Sequence, residues 1–445
     1  MAKWRLVFLL LPALALAGCD TVSDAYDYVF VSKPKAKLPG ERISVLSLDK
    51  QLEPDPQVAS VQIRLPRPIV NTDWPESGGY PNHAMQHLAL GDDVKEQWRS
   101  SIGDGSTRDG RIVAQPVASG DRIFTMDAEA TIRAFDRKSG DRLWEYDATP
   151  EDAGRAFGGG IAADAGRVFI ATGFAEVIAV DAGSGKEIWR QSIVAPARSP
   201  PTVSDGRVFV VTVDNQTQVL ASADGRNLWT HTGTPETAGL VGGASPAVEG
   251  DVVVVPYSSG EIFALRVENG RQLWSDNLAA TRRTDSLSTL ADIRGRPVID
   301  RGRVFAISHS GRMVAIDLRT GDRTWEQDIG GTETPWVAGD YIYVISNEGE
   351  LICLTRADGR IRWVQELPRY EDPQNKKDAM VWSGPVLGGD RLIVVASNGE
   401  AMSFSPYTGA PLGRVVLPDG TFVTPILADQ TLYVLTDDAD LIAMR

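Results

Sequence analysis

Histidine and cysteine are scarce in this chain, with four and two in 445 residues. His83 and His87 in "NHAMQH" are four apart, which on a helix would put both rings on one face. No acidic or Cys ligand follows at suitable spacing, so the pair reads as capping or surface packing. His231 and His309 stand alone. Cys19 ends a leader-like segment, which leaves Cys353 without a disulfide partner in the processed chain. Its setting, "ELICLTRADG", predicts a strand carrying a buried apolar thiol. Positive charge is also in deficit. Against 59 Asp and Glu there are 45 Lys and Arg, for a net charge of −14. Non-specific nucleic-acid binding needs clustered cations on backbone phosphates and is excluded. The apolar run Leu6–Ala17 falls short of the ~20 residues that span a bilayer core.

That run has another meaning. "MAKWRLVFLLLPALALAGC" begins with Lys3 and Arg5, continues apolar and ends in small residues, as a secretory leader does. Its ending, "LAGC", resembles the bacterial lipobox, in which the Cys becomes the lipidated first residue of the mature protein. Residues 1–18 are therefore expected to be removed, and Cys19 to hold the protein on a membrane through acyl chains. Asp20 follows, a residue that in enteric bacteria disfavours transfer to the outer membrane. The outer membrane, periplasmic face, remains the expected location.

What is abundant is one phrase. "AFDRKSGDRLW" ends at Trp144, "AVDAGSGKEIW" at Trp189, "LASADGRNLW" at Trp229, "ALRVENGRQLW" at Trp274, "AIDLRTGDRTW" at Trp325 and "CLTRADGRIRW" at Trp363. Each copy has the same grammar. A Pro or small-residue segment such as "SPPTVSDG" precedes an apolar strand such as "RVFVVT". An alternating strand ending near Asp, a Gly turn and a strand with Trp follow. The Asp carboxylate can accept turn N–H groups, and Gly supplies positive φ. Four such strands need about 40 residues. Length alone suggests roughly three domains, but radial repetition of four-stranded blades overrules it.

The predicted fold is all-β, an eight-bladed propeller of four-stranded antiparallel blades. Blades fall near 112–149, 157–194, 197–234, 241–278, 296–330, 332–367 and 381–417. The eighth starts at Thr421 and stops after three strands, while "DVKEQWRSS" around Trp98 has no blade of its own. The N-terminal strand is therefore predicted to complete the last blade. Blade seven carries Gly413 at the Trp position and is expected to be looser at its rim. The domains are expected as 1–18 leader, 19–90 lipid-anchored tether and N-terminal extension, and 91–445 propeller, with residues 71–93 lying across it. The stretch Thr281–Arg303 is the longest inter-blade connection, and long ordered loops are often functional. "FGGGIAADAG" opens a strand and not a helix, so it is no phosphate cradle.

The repeated A-x-D-x-x-T-G-x-x-x-W phrase resembles the repeat of the pyrroloquinoline-quinone (PQQ) enzyme propellers. With the lipobox and no domain beyond the eight blades, the chain resembles the BamB family, lipoproteins of the outer-membrane β-barrel assembly machinery, over about residues 91–445. The resemblance implies a non-catalytic scaffold without cofactor or metal. Its partners would be the POTRA domains of BamA, the other assembly subunits and nascent outer-membrane β-barrel proteins, whose folding and insertion it assists. In that family the BamA contact uses loops between central blades, here "APARSPPTV" (195–203) and "LADIRGRPV" (290–298). Arg198 holds the place of the family's basic residue. Asp292 matches the first of two acidic residues, and Arg294 stands where the second would be, which implies an altered partner surface. The competing reading is a PQQ-dependent dehydrogenase. Those enzymes are usually longer and have adjacent cysteines and a Ca²⁺ held by acidic and amide side chains. This chain has no adjacent cysteines, and no such ligand set assembles from one region. A carbohydrate- or peptide-binding propeller ranks third.

Overall fold

Runs such as Arg167–Thr172 ("RVFIAT") and Arg303–Ser308 ("RVFAIS") are apolar on both faces because each lies inside its sheet and is covered from both sides. They form the second strand of a repeating four-strand unit in a computed structural model that describes residues 52–108, 110–156, 158–236, 238–279 and 290–445. The leader, Cys19 and Asp20, and residues 280–289 of the long connection lie outside the described residues.

Eight four-stranded antiparallel sheets make an eight-bladed propeller. Seven sheets run in chain order from inside to outside. We number them by their strands: blade 1 (117–147), 2 (159–192), 3 (202–232), 4 (247–277), 5 (298–327), 6 (336–366), 7 (382–416) and 8 (426–444). Blade 8 takes its outer strand, Glu96–Ser101, from the other end of the chain. That strand pairs antiparallel with Asp440–Met444, with Trp98 opposite Ala443 and Ser101 opposite Asp440. A small hairpin, Tyr370–Asp372 with Lys377–Ala379, lies between blades 6 and 7.

The repeated Trp joins neighbouring blades. Its Nε1 donates to a carbonyl in the third-to-fourth-strand hairpin of the next blade. Trp144 reaches Ala182 (3.0 Å), Trp189 reaches Ser222 (3.0 Å), Trp229 reaches Val267 (2.9 Å) and Trp274 reaches Leu318 (2.8 Å). Trp325 reaches Arg356 (3.0 Å), Trp363 reaches Pro406 (3.2 Å) and Trp98 reaches Arg137 (3.2 Å). The ring also covers that hairpin's Gly. Gly270 has φ +72°, and a Cβ there would stand 2.6 Å from Trp229. Only glycine serves both the left-handed turn and the close ring. In blades 1, 2 and 5 an Asp starts the turn and caps it: Asp317 Oδ1 accepts from the N–H of Arg319 (3.0 Å) and Thr320 (2.9 Å), which holds its carboxyl below the usual range.

Blade 7 lacks this Trp, and the closure explains why. The third and fourth strands of blade 8 come from opposite chain ends, so blade 8 has no hairpin on which a Trp from blade 7 could dock. The outer strand of blade 7, Pro411–Val416, keeps its ladder but is exposed along its whole length. Its rim is therefore bare and not unpaired.

Residues 69–90 form a belt that bonds to every blade at one end of the ring. Asn71 donates to Leu427 O (2.7 Å) and accepts from Asp429 N (2.7 Å) in blade 8. Trp74 exchanges two bonds with Ala118 of blade 1 (2.8 Å each), and Pro75 O accepts from Ala163 of blade 2 (2.7 Å). The Glu76 carboxylate accepts from Val203 N of blade 3 (3.0 Å). Pro81 O and Asn82 O accept from Val248 of blade 4 (2.7 Å) and Ile299 of blade 5 (2.9 Å). Gln86 O accepts from Trp336 Nε1 of blade 6 (2.8 Å), and Leu88 O from Gly389 N beside blade 7 (2.9 Å). The belt then meets its own start: Ile69 pairs with Leu88, and Ile69 O accepts from Ala89 N (2.8 Å). His83 and His87 sit in this belt, buried and outside any helix. His83 Nδ1 bonds Pro297 O (2.7 Å), and His87 bonds Pro66 O (2.8 Å) and Asp390 N (3.2 Å). The surface packing expected for them is replaced by burial. Cys353 lies in the strand Glu350–Thr355, fully buried, and burial pushes its thiol up.

Candidate functional site at the channel mouth

The segments just ahead of each innermost strand line the axial channel at the end away from the belt. They border a partly open cavity of about 50 Å³, lined by Arg198, Gly243, Arg294, Arg296, Glu333 and Thr424 among others. These positions are the Pro- and Gly-containing segments of the repeat, where the chain crosses from the rim of one blade to the centre of the next.

Arg198 and Asp292 meet here from connections 94 residues apart. Arg198 Nη2 lies 2.5 Å from both carboxylate oxygens of Asp292, with both side chains buried. Asp292 Oδ2 also accepts from Leu240 N (2.8 Å), and Gly243 packs so closely on Arg198 that a Cβ would stand 2.6 Å from its Cγ. One ion pair thereby pins three inter-blade connections together. Removing one partner of such a pair strands a buried charge and costs about 3–5 kcal/mol.

Arg294 and Glu333 form a second pair (3.0 Å), with Arg294 29% exposed. Arg294 Nε also donates to Val241 O (3.1 Å). Glu333 Oε2 accepts from Gly384 N (3.2 Å) and Thr424 Oγ1 (3.0 Å). The acidic partner is thus supplied by the connection leading into blade 6, and Arg294 is not an isolated charge on its loop. Arg296, deeper in the channel, donates to Thr334 Oγ1 (3.2 Å) and to Ser77 Oγ of the belt.

Around this pinned cluster three valines face solvent: Val194 at 57%, Val213 at 45% and Val241 at 59%. Val213 N donates to Pro196 O (2.9 Å), which ties it to the Arg198 connection, and Val241 adjoins Arg294. Isolated exposed valines are ordinary, but here they share one rim with a rigid polar floor.

The structure brings Arg198, Asp292 and Arg294 to one place and adds Glu333, Arg296 and the three valines. Sequence reasoning missed these. Glu333 and Arg296 stand in the Pro-containing segments, and that recurring position was the available signal. Among the described residues no group of three or more His, Cys, Asp and Glu is placed to hold a metal ion.

A ring of this build, with the Trp-marked repeat and a polar axial mouth, defines a PQQ-repeat propeller. The family model described as outer membrane protein assembly factor BamB matches residues 88–156 and 128–365, and the chain belongs to that family. It is similar to outer membrane protein assembly factor BamB of Moranella endobia, 24% identical over 336 residues, covering 74% of this chain and 84% of the relative. Its fold is similar to that of BamB from Moraxella catarrhalis, with a TM-score of 0.67 and 18% identity over 79% of this chain and all of that one. It also resembles quinohemoprotein alcohol dehydrogenase from Comamonas testosteroni, with a TM-score of 0.63 and 12% identity over 84% of this chain and 80% of the other. Both structural likenesses concern the fold alone.

Proposed function

We propose that this protein is a non-catalytic scaffold of the outer-membrane β-barrel assembly machinery whose channel mouth docks the POTRA domains of BamA, alongside the other assembly subunits, and so assists folding and insertion of nascent β-barrel proteins. Residues 1–18 are its leader. Residues 19–90 carry the anchor at Cys19 and the N-terminal extension, and 91–445 form the propeller. Lipidated Cys19 holds it at the periplasmic face of the outer membrane.

The observation that carries the reading is the exposed trio Val194, Val213 and Val241 around the buried Arg198–Asp292 pair. Exposed apolar side chains set beside a fixed charged group supply the two kinds of contact that a protein interface combines. Arg198 and Asp292 are positioning residues in it. They hold three connections in register, and Arg294 is the polar contact at the border. Family membership supports the choice of partner.

Affinity purification of the lipoprotein tests this. Recovery of BamA is expected from wild type, with at least about tenfold less from Val241→Glu, as for the loss of an interface hot spot. Arg198→Glu and Asp292→Arg should each weaken recovery, and the two together should restore part of it by re-forming the pair. Undiminished recovery in all of them would defeat the interface. Reduction of an artificial electron acceptor only after PQQ and Ca²⁺ are added would replace the scaffold with an enzyme. Membrane fractionation of Cys19→Ala should move the protein to the soluble fraction.

A further inference from the structure

The axial channel holds more cation than its own carboxylates neutralise. Arg198 is matched by Asp292 and Arg294 by Glu333. Arg296 has no carboxylate within ion-pair distance among the described residues. Its two hydrogen-bonded nitrogens contact only the hydroxyls of Thr334 and Ser77, and its Nε is buried without a partner. Leaving a half-buried guanidinium without a carboxylate partner is costly. Burial draws Arg296 down to about 10, which keeps it charged at neutral pH. The carboxylate that lines the same cavity, Glu333, is already used by Arg294, Gly384 and Thr424. Thr334 Oγ1 accepts from the N–H of Arg296 (3.3 Å) and from its Nη1, which leaves its own proton for an incoming acceptor. Phe422, which lines the cavity, carries the exposed Arg111 guanidinium over its ring at 4.9 Å, and Arg111 in turn acts on Asp437. The surplus of one cation, Arg296, runs against a chain of net charge −14.

We propose that the channel binds one small oxyanion, of the carboxylate or phosphate class, paired with Arg296 and hydrogen-bonded by Thr334. A planar guanidinium presents parallel N–H groups to two oxygens of such a group, an arrangement roughly twice as strong as neutral hydrogen bonding. A cavity volume of about 50 Å³ is room for a small ion. The belt supplies one wall through Ser77, so the site exists only in the closed ring. The inference stands independently of the partner proposed above.

The test is titration of the intact lipoprotein in detergent with inorganic phosphate and, separately, acetate, at an ionic strength held constant with chloride. Heat and melting temperature are read in parallel. One saturable site and a rising melting temperature are expected with at least one anion, and the two arms tell phosphate from carboxylate. Arg296→Met should weaken binding about tenfold or more, and Arg296→Lys by less. Absence of saturation beyond the chloride control with both anions overturns the proposal, as does unchanged affinity in Arg296→Met. Should Arg296→Met fail to fold, Thr334→Val takes its place. A loss of about threefold to tenfold is then expected, and unchanged affinity is equally fatal.

Discussion

Seven of the eight blade-to-blade seams are fastened by a Trp on a Gly turn, and the seam from blade 7 to blade 8 is not. At that eighth seam the belt does the work instead. Leu88 bonds to blade 7 and Asn71 to blade 8, and between them the belt's two ends pair with each other through Ile69. Leu90 packs against Gly388 beside Leu427, and Arg391 donates to Asp92 O (2.9 Å) as the chain passes on to the closing strand. Leu88, Leu90 and Leu427 share one hydrophobic cluster with residues of blades 6, 7, 8 and 1. The difference teaches that the Trp marks a hairpin next door. Where the chain ends meet there is no hairpin, and an N-terminal extension closes the ring by another route.

The comparison is broken most severely at a Trp seam. Trp229→Ala should lower stability by about 3–5 kcal/mol, read from denaturant unfolding, because a nearly buried indole and its bond to Val267 are both lost. At the eighth seam Leu88→Ala should cost about 2–5 kcal/mol despite lying outside every blade. A cost near zero would mean that the belt is an ornament. The smallest effect belongs to Gly413→Trp. With no turn to receive the ring, stability should change by no more than about 0.5 kcal/mol, in contrast to the loss at an equivalent Trp.

The belt also gives a pH signature that the Trp seams lack. Burial raises Glu76 well above its usual value, so its contribution is present below about pH 4.5 and is lost as pH rises through the raised value. Burial lowers His83 to about 3, so its neutral form is favoured and stability falls as pH drops from 6.5 toward 3. Thermal unfolding of Glu76→Gln against wild type should show the variant gaining relative stability as pH rises above 4.5. A constant difference across that range would contradict the assignment.

The eight blades, their strand grammar and the closing strand around Trp98 were legible because each rests on side-chain pattern at a fixed period. The docking of Trp on the next blade's Gly was half legible. The turn and the ring were visible, and the seam they join was not. The belt was hardly legible, because it bonds mostly through backbone carbonyls and amides and has no period of its own. Arg198, Asp292 and Arg294 were found by resemblance. The burial of Arg198 and Asp292, the Asp292–Leu240 bond and the supply of Glu333 from the connection into blade 6 depend on approach in space across many tens of residues, which no local spacing records.

Native-state hydrogen exchange along the whole chain tests the closure most directly. Amides of Glu96–Ser101 that face the ladder to Asp440–Met444 should exchange as slowly as those of the strands inside blade 8, and both ends should open together with the belt. Rapid exchange of 96–101 while 440–444 stays protected would mean that the last blade lacks its fourth strand and the ring is open.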